Sequence, residues 1–485
     1  MKKLTSIRVR IAPSPTGMLH IGTARTALFN YLFAKKHNEK FILRIEDTDL
    51  ERSDKKYEKN IFEGFEWLGI EADESPIVGG PHKHYRQSER IHTYTPYLEK
   101  LLKEEKAFYC FHSEEELEKE KEELMVAKRP PLHICEYRNM RISEARTLTE
   151  TKPNYIIRFK TPLERTITFN DLIRGEVSFA SDLIGDFSIA KRIDIPLYNF
   201  AVVIDDHEMK ISHVIRGEDH IANTPKQILL FKALGLTVPL FAHLPLILGT
   251  DRSKLSKRHG ATSVTEYREA GYLPEALFNF MALLGWNHGG DQELFSKEEL
   301  IDRFSLEHIQ KAGAIFDIAK LDWMNGEYIR KKSVAELTQL CLPYLNGFPL
   351  DKFIKEYLEK VIALEQPRLK KLSEIGERVE YFFREPLYDK ELLRWKKISD
   401  QEISTSLEYS EKIISDFESP IAKHDIEQTF LKEIGEGDKG SILWPLRVAL
   451  TGKKASPGPF EIIEILGKEK TLERIFGAKK LLITQ

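Results

Sequence analysis

Cysteine is scarce in this 485-residue chain, which carries only Cys110, Cys135 and Cys341. Three cysteines cannot staple a chain of this length, so a disulfide framework is excluded and a reducing compartment is expected. No run approaches the roughly 20 apolar residues of a membrane-spanning helix, so no membrane association is expected. The first ten residues are basic but lead into no apolar stretch. No signal peptide is therefore expected, and the protein reads as cytoplasmic. An excess of positive charge is missing too: 73 Lys and Arg stand against 76 Asp and Glu, a formal net charge of -3. Capture of nucleic acid by bulk charge is excluded, and any such contact needs locally placed cations. There is no internal repeat and no low-complexity tract. What is present is an ordinary soluble composition, 41% hydrophobic and 31% charged. At a rough 150 residues per domain, the length allows about three domains.

The first segment reads as strand, loop, helix, strand. Ile7 to Ala12 is short, β-branched and alternating, and Pro13-Ser14-Pro15-Thr16-Gly17 makes a loop. From His20 onward Ala24, Ala27, Leu28, Tyr31 and Leu32 recur at helical spacing, and Phe41 to Ile45 forms the next strand. A strand, a crossover helix and a strand predict a βαβ unit and a parallel α/β sheet. Residues 91–194 differ in texture. Ser113 to Glu116 is a capping box opening a charged helix, followed by strand-like pieces at Tyr155 to Lys160, Thr166 to Phe169 and Glu176 to Ala180. This predicts an α+β insertion. Tyr198 to Ile204 and Leu244 to Leu248 are apolar runs that read as buried strands completing the interrupted sheet. Beyond about residue 260 strands become scarce. Pro274 stands at a helix start, Ser296 to Glu299 is a second capping box, and amphipathic patterns run to residue 485 with breaks at Asn346-Gly347 and Thr451-Gly452. The C-terminal third is expected to be all helical.

Two short elements carry chemistry. The loop from Arg10 to Thr23 delivers a helix N-terminus, where backbone N–H groups and the helix dipole favour an anion. His20 in the first turn can donate to a phosphate oxygen, and Gly22 leaves room for a nucleotide against the helix. Taken alone, the segment is equally a tight strand-to-helix turn. Far downstream, Lys254-Leu255-Ser256-Lys257-Arg258 puts two lysines three apart, able to converge on a polyphosphate and on the charge that grows on leaving pyrophosphate. Alone it would read as a solvated basic loop.

Together these strings resemble the "HIGH" and "KMSKS" signatures of class I aminoacyl-tRNA synthetases. Arg10 to Gly17, Arg44 to Asp49, Gly80-Pro81-His82, Tyr85 to Arg90, Asp205-Asp206-His207, Val214 to Asp219, Leu321 to Gly326 and Leu446 to Gly452 extend the resemblance to bacterial glutamyl-tRNA synthetases over nearly the whole chain. Thr23 replaces the second His of the first signature, as is usual in that family. The Ala12 to Gly17 loop and the helical C-terminal third separate the chain from glutaminyl-tRNA synthetases. The implied fold is a Rossmann-like parallel-sheet catalytic domain at 1–90 and 195–250, an acceptor-binding α+β insertion at 91–194, a signature loop with a helical stem-contact domain at 251–325, and an all-α anticodon-binding region at 326–485.

The resemblance implies a glutamate--tRNA ligase that uses ATP with Mg²⁺, L-glutamate and tRNA(Glu), works as a monomer and forms its adenylate only with tRNA bound. His20, Lys254 and Lys257 become the catalytic residues; Pro13, Gly22 and Thr23 join the two lysines at ATP. Arg10, Tyr198 and Arg216 hold the glutamate side chain, an arginine fork being suited to a carboxylate. Ser14 and Glu46 face the α-amino group, with Ala12 beside them. Arg368 and Arg447 line the anticodon site, Arg368 by stacking on a base and bonding its edge. A small-molecule nucleotidyltransferase that forms an acyl-adenylate without tRNA, and a non-catalytic tRNA-binding paralogue, are the competing classes. The long helical arm argues against the first, and intact His20, Lys254 and Lys257 against the second.

Cys110-Phe111-His112 and His133-Ile134-Cys135-Glu136-Tyr137 flank the charged helix, with short spacings that suit a structural Zn²⁺. The family module, Cys-x-Cys with Cys-x-His, maps here onto Cys110, His112, Cys135 and Tyr137. His133 is the alternative fourth ligand.

Overall fold

The computed structural model describes residues 6–49, 51–130, 132–163, 165–435 and 437–483. By internal contacts the chain falls into two units, Met1–Arg268 with Pro274–Ile318, and Glu269–Leu273 with Ala319–Gln485.

The first unit is built on crossovers between parallel strands. β1 (Arg8–Ile11) pairs with β2 (Lys40–Leu43) through the helix Ile21–Lys36, with Arg8 opposite Lys40. That helix buries Ile21, Ala24, Ala27, Leu28, Phe29, Leu32 and Ala34, a stripe widened to most of its girth. Its one fully buried amide, Asn30, donates through Nδ2 to Thr26 O at 2.8 Å and Ile215 O at 3.0 Å, which satisfies the NH2 half of the group.

Among the described residues the insertion supplies five strands, β3 (Ala107–Cys110), β4 (Ile156–Phe159), β5 (Thr166–Asp171), β6 (Gly175–Ala180) and β7 (Phe187–Arg192), and the short β8 (Ile195–Pro196) follows just past its end. The antiparallel sheet β3-β4-β7-β8 packs on Tyr94, Leu98, Leu101, Phe200 and Phe231. The helix Glu114–Val126, opened by the capping box at Ser113 and Glu116, buries none of its residues, as its charge demands.

β9 (His213–Gly217) and β10 (Leu240–Leu244) form the second parallel pair, Leu240 opposite His213. Their crossover helix, Thr224–Leu234, ends on Gly235 in the left-handed region at φ 73°. Ser212 N–H donates to Arg8 O at 3.0 Å, running β1 beside β9. The hairpin β5–β6 joins this sheet rather than the insertion's own: β5 pairs in parallel with β10, giving the order β6-β5-β10-β9. β11 (Ile247–Leu248) pairs with β12 (Ala314–Ile315).

Two expected strands differ. Tyr198–Glu208 is a helix, not a strand. Phe200 through Asp206 are all buried, so the run has no polar face to betray a helical period. Leu244 to Leu248 breaks in two at Pro245, which lacks the N–H a continuous ladder needs.

In the second unit the described residues from Ala319 onward form helices and turns without a strand. Asn325 accepts Leu273 N–H at 2.8 Å and donates to Lys370 O at 2.6 Å. The helix Lys439–Thr451 stops at Gly452 (φ 65°), as the sequence break predicts, and Pro459–Ile483 kinks at Gly467 (φ 79°). No described helix is long and apolar enough to cross a membrane.

A candidate active-site cleft and a candidate metal centre

β1 delivers the loop Ala12–Gly17 to the head of the helix Ile21–Lys36, whose N-cap is His20. His20 Nδ1 accepts Gly22 N–H at 3.0 Å. With Nδ1 used as an acceptor, the ring proton sits on Nε2, which remains available as a donor. Burial and the nearby Lys254 both lower the His20 pKa, keeping the ring neutral. A Cβ on Gly22 would stand 3.1 Å from His20 Nδ1, so the glycine serves this cap as well as leaving room for a ligand.

The second signature is stitched to the first. Ile21 N–H donates to Thr262 O at 2.8 Å and Val264 N–H to Leu19 O at 2.9 Å. The intervening loop closes where Gly249 N–H reaches Ser253 O at 2.9 Å and Leu255 N–H reaches Ile247 O at 2.9 Å. A Cβ on Gly249 would lie 2.6 Å from the His259 ring, so only glycine fits under it. Lys254 Nζ lies 3.4 Å from Asp219 Oδ2. Both residues line a cleft of about 740 Å³.

The same cleft gathers Arg10, Ala12, Pro13, Ser14, His20, Gly22, Thr23, Glu46, Tyr198 and Arg216. Lys257 opens the 3₁₀ turn Lys257–His259 and is not among the lining residues. Sequence reasoning missed Arg25, His220 and Asn223, which also line it. Arg25 donates to Pro245 O at 2.5 Å and Leu284 O at 3.3 Å, and burial pushes its guanidinium down to about 10.

The amino-acid end rests on a buried ionic network. Arg10 donates through Nε and Nη2 to separate oxygens of Asp206, each at 3.2 Å. Arg44, fully buried, donates to Asp206 at 2.8 Å and to Glu46 at 3.3 Å. Asp205 takes Arg90 at 2.6 Å, Gln87 at 2.9 Å and the Tyr94 hydroxyl at 3.0 Å. Burial alone would raise the Asp206 pKa, but Arg10 and Arg44 outweigh it and hold the carboxylate ionised. At Glu46 burial wins and the pKa is raised. Burial pushes Arg216 down to about 10. Tyr198, at the start of its helix, places its hydroxyl 3.1 Å from His220 Nδ1. The helix that replaces the expected strand thus presents Tyr198 at one end and Asp205 and Asp206 at the other.

In the insertion, Cys110, His112, His133 and Cys135 bring their ligand atoms within 4.8 Å of one another. Cys110 Sγ lies 3.6 Å from His112 Nδ1 and 3.5 Å from His133 Nε2, and Cys135 Sγ lies 3.8 Å from His112 Nδ1. Tetrahedral zinc with bonds of about 2.3 Å to sulfur and 2.05 Å to nitrogen gives S···N edges of about 3.6 Å, so the donor set fits. His133 Nδ1 meets the Glu120 carboxylate, which orients Nε2 toward the cluster. Tyr137 stands beside the centre rather than in it: its hydroxyl accepts from Lys152 Nζ at 3.3 Å and its ring packs edge-on against His112.

In the second unit Arg368 donates to the buried Glu365 carboxylate at 3.2 and 3.3 Å, and Arg447 lies in the helix Lys439–Thr451.

Residues 6–323 match the model of tRNA synthetases class I (E and Q), catalytic domain, and residues 336–479 match that of an anticodon binding domain. The chain is 48% identical to glutamate--tRNA ligase 1 of Caldicellulosiruptor saccharolyticus, covering 97% of this chain and 98% of the relative. It is also 48% identical to the glutamate--tRNA ligase of Carboxydothermus hydrogenoformans, with 97% and 99% covered. A crystal structure of the glutamate tRNA ligase of Elizabethkingia meningosepticum, in complex with its amino acid, superposes with a TM-score of 0.89 at 36% identity, covering 98% of this chain and 99% of that one.

Proposed function

The chain belongs to the glutamate--tRNA ligases of the class I aminoacyl-tRNA synthetases, and on that premise we propose how its residues divide the work. The enzyme joins L-glutamate to tRNA at the expense of ATP. The glutamate α-carboxylate attacks the α-phosphorus of ATP, forming the glutamyl-adenylate and releasing pyrophosphate. A terminal ribose hydroxyl of tRNA(Glu) then attacks the acyl carbon, and AMP leaves. Neither step uses a protein nucleophile, so catalysis rests on positioning and charge stabilisation.

Arg10 and Arg216 hold the side-chain carboxylate with Tyr198, while Ser14 and Glu46 face the α-ammonium with Ala12 beside them. Pro13, Gly22 and Thr23 seat the nucleotide, which arrives with Mg²⁺. His20 donates from Nε2 to a phosphate oxygen, and Lys254 and Lys257 neutralise the departing pyrophosphate. One cleft lined by the buried Arg10 and Arg216 together with His20 and Lys254 is the observation that carries this division. Cys110, His112, His133 and Cys135 hold one Zn²⁺, which would stiffen the insertion. Residues 91–194 meet the acceptor end, 251–325 the stem, and 326–485 the anticodon through Arg368 and Arg447. The protein acts as a cytoplasmic monomer.

Glutamate-dependent pyrophosphate exchange, with and without tRNA, tests the reading. Exchange that requires tRNA is expected, and no exchange in either condition would reject it. Charging of purified tRNA(Glu) is the expected outcome, and the same assay on purified tRNA(Gln) measures how far the specificity extends.

A further inference from the structure

Arg216 is held from behind by a chain of buried groups that the division of roles above leaves unused. Its Nε lies 3.3 Å from His243 Nε2, and its Nη2 donates to Thr224 Oγ1 at 2.7 Å. Thr224 Oγ1 is itself 3.0 Å from the same His243 nitrogen. The guanidinium lies over the Phe241 ring, 5.5 Å from its centroid. Among the described residues Nη1 has no hydrogen-bond partner, although Arg216 is only 5% exposed and lines the cleft. An orphan buried N–H on a charged group is costly, so it marks where a ligand oxygen belongs.

His243 is fully buried and its other nitrogen, Nδ1, lies 2.6 Å from Asp171 Oδ2. A carboxylate only accepts, so the ring proton must sit on Nδ1. That leaves a lone pair on Nε2, which takes the Arg216 Nε–H and the Thr224 hydroxyl. With the opposite tautomer two N–H groups would face each other at Arg216. Asp171 is fixed in turn: it closes β5, and its Oδ1 accepts Ile173 N–H at 3.0 Å and Arg174 N–H at 2.9 Å across the β5–β6 turn. The pairing of β5 with β10 brings Asp171 beside His243.

We propose that Asp171 and His243 are positioning residues for amino-acid selection: Asp171 fixes the His243 tautomer, and His243 locks Arg216 so that Nη1 points at the substrate's side-chain carboxylate. The proposal rests on the reading that Arg216 holds that carboxylate. It explains why a histidine, rather than an apolar residue, occupies a fully buried place in β10.

Two isosteric replacements separate this role from mere packing. In His243→Gln the amide oxygen reaches the Nε2 position and can accept from Arg216. In His243→Asn the amide reaches only the Nδ1 position, keeping Asp171 but losing Arg216. Steady-state pyrophosphate exchange with tRNA present is measured for both, alongside Arg216→Ala. His243→Asn is expected to raise the glutamate KM about tenfold or more, with kcat and the ATP KM changed less than about threefold, and to narrow the preference for glutamate over glutamine. His243→Gln is expected to stay within about threefold of the parent on the glutamate KM. If His243→Asn does not fold, Thr224→Val against Thr224→Ser poses the same question, the valine keeping the shape without the hydroxyl. Equal losses in the paired variants, or none, with Arg216→Ala still defective, would overturn the proposal and leave the Arg216 reading standing. An unchanged glutamate KM in Arg216→Ala would overturn both.

Discussion

Asp206 grips Arg10 with both oxygens, one to Nε and one to Nη2, each at 3.2 Å. The two side chains are 5% and 4% exposed, and Asp206 simultaneously takes Arg44 at 2.8 Å. One carboxylate therefore sets the orientation of the arginine proposed to hold the substrate and neutralises a second arginine behind it. Removing it leaves two buried guanidiniums short of a partner. Asp206→Ala is expected to destabilise the first unit by about 3–5 kcal/mol. Asp206→Asn, which keeps the shape, should fold but raise the glutamate KM more than the ATP KM. Thermal denaturation and exchange kinetics check the two arms; equal changes in both KM values would remove Asp206 from amino-acid positioning.

The lysines of the second signature are proposed to act on charge that exists only as pyrophosphate departs. Lys254→Ala should therefore cut exchange turnover by about 10²–10³ while glutamate binding changes little. Lys257→Ala should act in the same direction, although in this structure Lys257 stands outside the lining of the cleft. Comparable losses in kcat and in glutamate affinity would contradict the role for either lysine.

Much of the cleft was legible in the sequence because its parts sit at strand ends and one helix start. Arg10, Ala12 to Ser14 and His20 to Thr23 lie within one 14-residue stretch, and local rules for a strand, a turn and a helix start place that stretch. The supports were not legible. Arg44 and Asp206 are 162 residues apart, and Asp171 and His243 are 72 apart, so only the completed sheet brings them together. The run at Tyr198 misled because a fully buried helix and a buried strand carry the same apolar pattern. At the candidate metal centre the Cys and His residues were evident, but that His133 rather than Tyr137 joins the cluster depends on how the chain returns past the helix Glu114–Val126. Glu120 on that helix takes His133 Nδ1, and Lys152 takes Tyr137.

Acid should destabilise the first unit through His213. Its ring is 7% exposed, bonded to Ser212 Oγ at 2.8 Å and packed on Phe33. Burial, with a smaller contribution from His37, lowers its pKa from 6.5 to about 4. The folded pKa lies below the unfolded one, so between these values the unfolded chain binds a proton that the folded chain refuses. Stability should fall as pH drops from 6.5 toward about 4, by at most about 1.4 kcal/mol per pH unit from this residue, and flatten below. Denaturant unfolding across that window checks it. His213→Gln should lose about one proton's share of the slope, and an unchanged slope would acquit His213.

The proposed zinc site makes a prediction that needs no activity assay. Cys110, His112, His133 and Cys135 already stand at S···N separations of 3.5 to 3.8 Å, close to those of tetrahedral zinc. No residue of the helix between them is fully buried; Leu117, Glu120 and Leu124 are half-buried along one face, and Glu120 meets His133. Purified protein is expected to contain one equivalent of zinc, and chelation should lower its melting temperature. Cys110→Ser and His133→Ala should both lose the metal, whereas Tyr137→Phe should retain it because the Tyr137 hydroxyl is committed to Lys152. Glu120→Gln should weaken zinc binding about tenfold or more, since the carboxylate that orients a ligating histidine matters nearly as much as the ligand. Metal content well below one equivalent, with no thermal effect of chelation, would leave Cys110 and Cys135 as buried thiols of the insertion's core.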